Sequence, residues 1–164
     1  PLFSFKRDRN LRSFLVKGVF HSVKESGTFR CSRPICSTCP YIVCHTHITG
    51  PKSSLNINDH FDCITSNVVY CIKCSRCNLL YIGETGRRLG DRIREHLYDI
   101  RNNDSAKPVS RHFNLSHPSL SDFIFSGLSL VSGNNDCRKT KVKEMRFIHR
   151  LGTLKSLRDP HLGP

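Results

Sequence analysis

The sequence predicts an α/β (α+β) fold for residues 67–157: a small, three-stranded, mainly antiparallel sheet flanked by helices. An irregular, cysteine-rich segment precedes it. Two β-branched and aromatic runs, 67–72 and 79–83, bracket a short polar stretch. A helical period follows them at once. Five of the nine cysteines crowd into residues 31–66, where no period lasts.

The elements follow in order. Asn67-Val68-Val69-Tyr70-Cys71-Ile72 and Leu79-Leu80-Tyr81-Ile82-Gly83 read as two strands of a hairpin, joined through Cys74–Asn78. From Arg88 to about Arg101, residues Leu89, Ile93, Leu97 and Ile100 fall on one helical face. Asn102-Asn103-Asp104 and Pro108 are expected to end that helix. Residues 123–131, FIFSGLSLV, read as a third strand, and Gly133-Asn134-Asn135 as a turn. A second helix is expected from about Asp136 to Leu151, stopped by Gly152. Strand, strand, helix, strand, helix is the order of one small domain.

The rest of the chain divides by composition. Residues 1–30 carry seven Lys or Arg and two acids around an apolar patch from Phe14 to Phe20, and read as a basic linker with one helical stretch. Residues 31–66 form a loop-rich linker that needs cross-links to hold a shape. Residues 158–164, with Pro160, Gly163 and Pro164, are expected to fray. Residue 1 is proline and the only methionine is Met145, so the sequence is expected to be a fragment of a longer chain.

A formal net charge of +13 and a pI of 9.7 predict attraction to a polyanion, with nucleic acid the leading candidate. There is no apolar run long enough to span a bilayer and no secretory pattern at the start, so no membrane partner is expected.

Without a secretory context, metal or free thiols are the stronger reading of the cysteines. Cys36-x₂-Cys39 and Cys74-x₂-Cys77 are two knuckles, each able to turn two thiolates toward one tetrahedral Zn²⁺. Cys31 and Cys63 are further candidate ligands, as are Cys44, His45, His47 and Cys71. The pairing stays open. Cys137 stands apart as an ordinary thiol.

The chemistry-bearing set lies around the hairpin and the helices. Tyr70 and Tyr81 sit eleven residues apart on the two strands. Arg92 and His96 are one helical turn apart, at the edge of the apolar stripe. On the last helix Lys139, Lys143, Arg146 and Arg150 make a basic face. Thr140, Met145, Phe147, Ile148 and Leu151 make the other, with Glu144 near its middle. An inward carboxylate needs a cation or hydrogen bonds to offset its desolvation. A hard divalent cation there could activate water, and arginine grips phosphate oxygens bidentately. Singly, each tyrosine would be an ordinary core or surface aromatic, and Glu144 an ion-pair partner. Together the residues make a phosphodiester-cleaving set.

These residues resemble the GIY-YIG nucleases. Val68-Val69-Tyr70 and Tyr81-Ile82-Gly83 look like the two halves of that motif, with Val-Val in place of Gly-Ile. Arg92, His96 and Glu144 fall where the family has its helix arginine, its histidine and its metal-binding glutamate. A narrower resemblance is to the C-terminal end of Penelope-like retroelements. It is carried by "GTFRCSRPICSTCPYI", "NVVYCIKCSRCNLLYIGETGRRLGDRIREHL" and "KEMRFIHRLGTL". The tail "LRDPHLGP" lacks the proline-glycine-leucine-asparagine ending of that pattern.

The resemblance implies a Mg²⁺ (or Mn²⁺) dependent DNA endonuclease that nicks DNA for retroelement integration in the nucleus. Tyr70 would be the general base, and Glu144 the Mg²⁺ ligand. Arg92 would stabilise the transition state; Tyr81 and His96 would order the water and the phosphate. Implied partners are DNA, the element RNA and an upstream reverse transcriptase domain. Arg87, Arg88, Lys139, Lys143, Arg146 and Arg150 are the expected nucleic-acid contacts. Two alternatives stand beside it: an inactive zinc-containing nucleic-acid-binding module, and a structure-specific repair nuclease of the same superfamily.

Overall fold

A computed structural model describes residues 24–115, 119–131 and 137–153. Phe14–Phe20, the turn at Gly133–Asn135 and the tail 158–164 lie outside the described residues.

The central sheet is antiparallel throughout. Strands β5 (Val68–Cys74), β6 (Leu80–Thr85) and β7 (Phe123–Leu130) lie in the order β6-β5-β7. Both faces of β5 are covered, so all but one of its seven residues are buried. Its turn into β6 closes with the Asn78 amide donating to the Cys74 carbonyl at 2.9 Å. Asn78 has φ 59°, a conformation asparagine tolerates better than most residues. The register sets Tyr70 opposite Gly83 on one side and Gly127 on the other.

Helix α1 (Leu89–Arg101) buries Leu89, Ile93, Leu97 and Ile100 on the expected face, together with His96. The helix ends at Arg101 with Asn102 as its cap, as expected, but Pro108 opens a further helix that was not expected, α2 (Pro108–Leu115). Proline lacks the N–H that a first-turn residue leaves unpaired, so it starts a helix as readily as it ends one. Ser110 donates to the Asp99 carbonyl at 2.8 Å and Asn114 to the Ile100 carbonyl at 2.9 Å, folding α2 back onto α1.

Helix α3 (Cys137–Leu151) turns Thr140, Ile148 and Leu151 inward. Met145, expected on that apolar side, is 68% exposed. It sits about 100° around the helix from Glu144, too far to share the buried stripe.

The cysteine-rich linker and the residues just before it have more regular structure than the sequence promised. Four short strands occur, β1 (Gly27–Thr28), β2 (His47–Thr49), β3 (Ser54–Asn56) and β4 (His60–Phe61). They pair β1 with β4 and β2 with β3. The linker covers the free edge of β7, which would otherwise offer unpaired backbone groups. Thr28 accepts the Gly127 amide at 3.0 Å, Asp59 accepts the Leu130 amide at 2.9 Å, and Ile42 bridges to Phe125. The Phe61 ring lies so close to Gly127 that a Cβ there would stand 2.2 Å from it.

Candidate active site and metal clusters

Tyr70 is the hub of the site. Its ring is fully buried, stacked on Phe125 with 5.0 Å between centroids. Its hydroxyl has two partners: Arg92 donates Nε–H to Oη at 2.8 Å, and His96 Nε2 lies 2.8 Å away. The hydroxyl therefore accepts from the guanidinium and is placed to donate to the imidazole. Tyr81 approaches both, at 6.5 Å from the Tyr70 centroid and 5.9 Å from that of His96. Gly83 makes this convergence possible: a Cβ there would lie 2.6 Å from Tyr70 Oη and 2.9 Å from the Tyr81 ring.

Electrostatics keep the hub protonated on tyrosine and neutral on histidine. Burial raises the Tyr70 phenol well above its ordinary range; Arg92 opposes this, while Tyr81 and Glu144 add to it. Burial, then the Arg92 charge, push the His96 imidazole down to about 3. Arg92 has its acidity lowered further despite burial, because Tyr70 and Glu95 both bind its charged form.

Glu144 comes from α3, half-buried, and its carboxylate is near enough to act on the Tyr70 phenol through its charge. The elements β5, β6 and α1 thus bring Tyr70, Tyr81, Arg92 and His96 to one place, and α3, which carries Glu144, packs on β5 and β6. A carboxylate is a hard oxygen donor. It suits Mg²⁺ or Mn²⁺, which keep several waters and take one or two carboxylates plus phosphate oxygens. The residues present fit such an ion.

Among the described residues the cysteines form two separate clusters. Cys31, Cys36, Cys39 and Cys63 form one; Cys74, Cys77 and His112 the other. The two knuckles therefore do not share an ion, since each supplies a different cluster. Within the first, Cys31–Cys39, Cys39–Cys63 and Cys36–Cys63 sulfur distances are 3.4, 3.5 and 3.7 Å. Tetrahedral zinc with bonds near 2.3 Å separates its sulfurs by about 3.8 Å, so four thiolates at these spacings fit it. Thr38 adds hydrogen bonds to Cys36 and Cys63. Burial raises the Cys36 thiol, but hydrogen bonds from Thr38, Cys31 and the Cys39 backbone together bring it down to about 6.

In the second cluster Cys77 Sγ lies 3.4 Å from His112 Nε2. His112 was missed in the sequence reading. The signal was present as Cys74-x₂-Cys77 followed by His112-x₄-His117, a Cys₂His₂ pattern with a long gap. His117 lies outside the described residues. Cys44, His45, His47 and Cys71 join neither cluster. Cys71 is instead a core thiol, pushed up to about 12 by burial. The side chain of Cys137 is not among those described.

The expected nucleic-acid contacts split into two groups. Lys143, Arg146 and Arg150 line one open groove of about 600 Å³ along α3, with Lys143 Nζ also donating to the Leu130 carbonyl at 2.7 Å. Lys139 is exposed on the same helix. Arg87 and Arg88 are exposed just before α1.

Comparison with protein families decides what kind of domain this is. The family model of the GIY-YIG catalytic domain matches residues 66–129. Residues 66–129 thus carry the pattern of a GIY-YIG catalytic domain. Tyr70, Tyr81, Arg92 and His96 lie inside the match; Glu144 and the first cysteine cluster lie outside it. Comparison with curated proteins and with solved structures gave no match. A GIY-YIG domain is a nuclease-type domain, and its hub here is the Tyr70–Arg92–His96 triangle.

Proposed function

We propose that the chain is a Mg²⁺ (or Mn²⁺) dependent endonuclease that nicks DNA, with Tyr70, Tyr81, Arg92, His96 and Glu144 as its reacting set. The carrying observation is their convergence. Tyr70 Oη is within 2.8 Å of both Arg92 Nε and His96 Nε2, and the helix that carries Glu144 packs on the strands that carry Tyr70 and Tyr81.

In this reading Glu144 would hold the metal, which would supply positive charge for water activation and phosphate polarisation. A water oxygen forms the new bond to phosphorus as the phosphorus–oxygen bond to the leaving strand breaks. Tyr70 would take the water's proton after losing its own hydroxyl proton to solvent, a loss that the Arg92 charge favours and burial opposes. Arg92 grips the phosphate oxygens as charge builds on them. His96 holds the Tyr70 hydroxyl in place, and Tyr81 orders the phosphate. The basic groove along α3, with Arg87 and Arg88, takes the flanking backbone. The two cysteine clusters hold structural Zn²⁺.

The biological reading proposed is retroelement integration in the nucleus. DNA is the substrate, and the element RNA and an upstream reverse transcriptase domain are partners. It rests on the three quoted sequence stretches, of which the first and third lie outside the family match.

One observation favours binding without cutting. Tyr70 is fully buried, and burial raises its phenol pKa first among several causes. A base so placed is protonated near neutral pH. Nicking of supercoiled plasmid with Mg²⁺ separates the two readings. Wild type should nick, whereas Arg92→Ala and Glu144→Ala should lose at least about a hundredfold in rate. Equal nicking by all three would remove the assignment; salt-sensitive binding with no nicking by any would favour the binding module.

A further inference from the structure

Arg92 must present its guanidinium fork to a phosphate, yet an arginine side chain has four rotatable bonds and ordinarily samples many rotamers. Here both ends of the fork are held. Nε–H is donated to Tyr70 Oη at 2.8 Å, and Nη1 is donated to Glu95 Oε2. The same Glu95 oxygen accepts from Arg87 Nη2 at 2.6 Å. Two guanidinium groups, one from the loop before α1 and one from its first turn, thus converge on one carboxylate oxygen. Arg87 is itself anchored, its backbone amide donating to Thr85 Oγ1 at 3.1 Å.

We propose that Glu95 is the positioning residue of this site. It fixes the Arg92 fork against Tyr70 and draws Arg87 beside it, so that two guanidiniums are ready to share one substrate phosphate. The inference rests on the nuclease reading above. Glu95 touches neither Tyr70 nor His96 through any described hydrogen bond and acts only through Arg92 and Arg87. Burial works against its ionisation, but Arg92 and then Arg87 hold its carboxyl below the usual range. Arg92 keeps its Nη2 donors outside these contacts, and these are the ones available to a phosphate oxygen.

A second pair on the same helix supplies an internal comparison. Arg94 donates to Asp91 with the same three-residue spacing, but it meets none of the site residues. Exposed pairs of this kind contribute little to stability. A merely structural Glu95 would therefore behave like Asp91.

Two readouts test the proposal. In protein carrying ¹⁵N-arginine, the Arg92 Nε–H bonded to Tyr70 should give a resolved, exchange-protected signal. Glu95→Ala should average that signal toward the free-arginine position, and Glu95→Gln should retain part of it. In single-turnover plasmid nicking, Glu95→Ala should slow the rate about tenfold or more, with DNA affinity within about twofold of wild type. Asp91→Ala should change neither readout. In an Arg92→Ala background Glu95→Ala should cost less than it does in wild type, because only its hold on Arg87 remains to be lost. An unmoved Arg92 signal in Glu95→Ala would overturn the proposal, as would additive loss in the double variant. Absent nicking by wild type would count against the nuclease reading alone, since the arginine signal still decides what Glu95 does.

Discussion

Replacing Gly83 by alanine tests the geometry of the hub directly. The added Cβ would sit 2.6 Å from Tyr70 Oη, 2.8 Å from Tyr70 Cζ and 2.9 Å from Tyr81. Real contacts of this kind are not made so short, so something must move. The nearest atom is no flexible chain end: Tyr70 is held by Arg92, His96 and the Phe125 stack. Overpacking a buried site by one methyl costs about 1–3 kcal/mol. If the ring shifts, the hydrogen bond from the charged Arg92 donor is lost, at about 1.5–3 kcal/mol. Alanine returns about 0.4–1 kcal/mol through a less flexible unfolded chain. The net expectation is a destabilisation of about 2–4 kcal/mol, or a fall in Tm on the order of 10 °C. Urea titration followed by circular dichroism gives the first quantity, and plasmid nicking should fall about a hundredfold with it. A Gly83→Ala protein whose unfolding midpoint and nicking rate match wild type would refute the claim that these two tyrosines close over the glycine.

Two further predictions concern protons and metal. The His96 imidazole is depressed to about 3 by burial and Arg92, against an unfolded value near 6.5. Below pH 6.5 the unfolded chain binds a proton that the folded one refuses, so stability is intact above that pH and declines as pH falls toward 3. Between pH 7 and pH 5 the loss from this group is about 2 kcal/mol, and His96→Gln should flatten that part of the urea-denaturation profile; an unchanged slope would show His96 to be unburied. Elemental analysis of protein purified with zinc should find about two ions per chain. Cys63→Ser should remove one and Cys77→Ser the other, independently; loss of the same ion by Cys36→Ser and Cys74→Ser would show that the two knuckles share one site.

What the sequence carried well was period and spacing. Leu89, Ile93, Leu97 and Ile100 announce the buried face of α1, and the β-branched run around Tyr70 announces a buried strand, because both follow from local geometry. Residues whose meaning depends on distant partners were read less well. The knuckles Cys36/Cys39 and Cys74/Cys77 have identical local spacing, and only the fold sends them to different clusters. Pro108 carries the same local signal whether it ends a helix or begins one. Glu95 looked like any charged residue on a helix surface until Arg87, eight residues earlier, was seen to reach the same oxygen.

The linker's attachments bear on how the site is held. Helix α1 carries Arg92, Glu95 and His96, yet its N-cap Arg88 makes no side-chain capping bond. The amides of a first helical turn have no partner within the helix and must find one elsewhere. Here the linker provides it: Leu89 donates to the Thr65 carbonyl at 2.8 Å and Gly90 to the Cys63 carbonyl at 2.9 Å. At the far side Ser53 donates to the Arg150 carbonyl at 2.7 Å, near the end of the helix that carries Glu144. Strand β7 has its edge closed by Thr28 and Asp59. The segment therefore touches the start of one site-bearing helix, the end of the other and the rim of the sheet between them. Cys63 belongs at once to a cysteine cluster and to the cap of α1. Anything that holds four thiolates together also fixes where the Arg92 helix begins, which makes the cysteine-rich segment part of the scaffold of the site and not a tether to it.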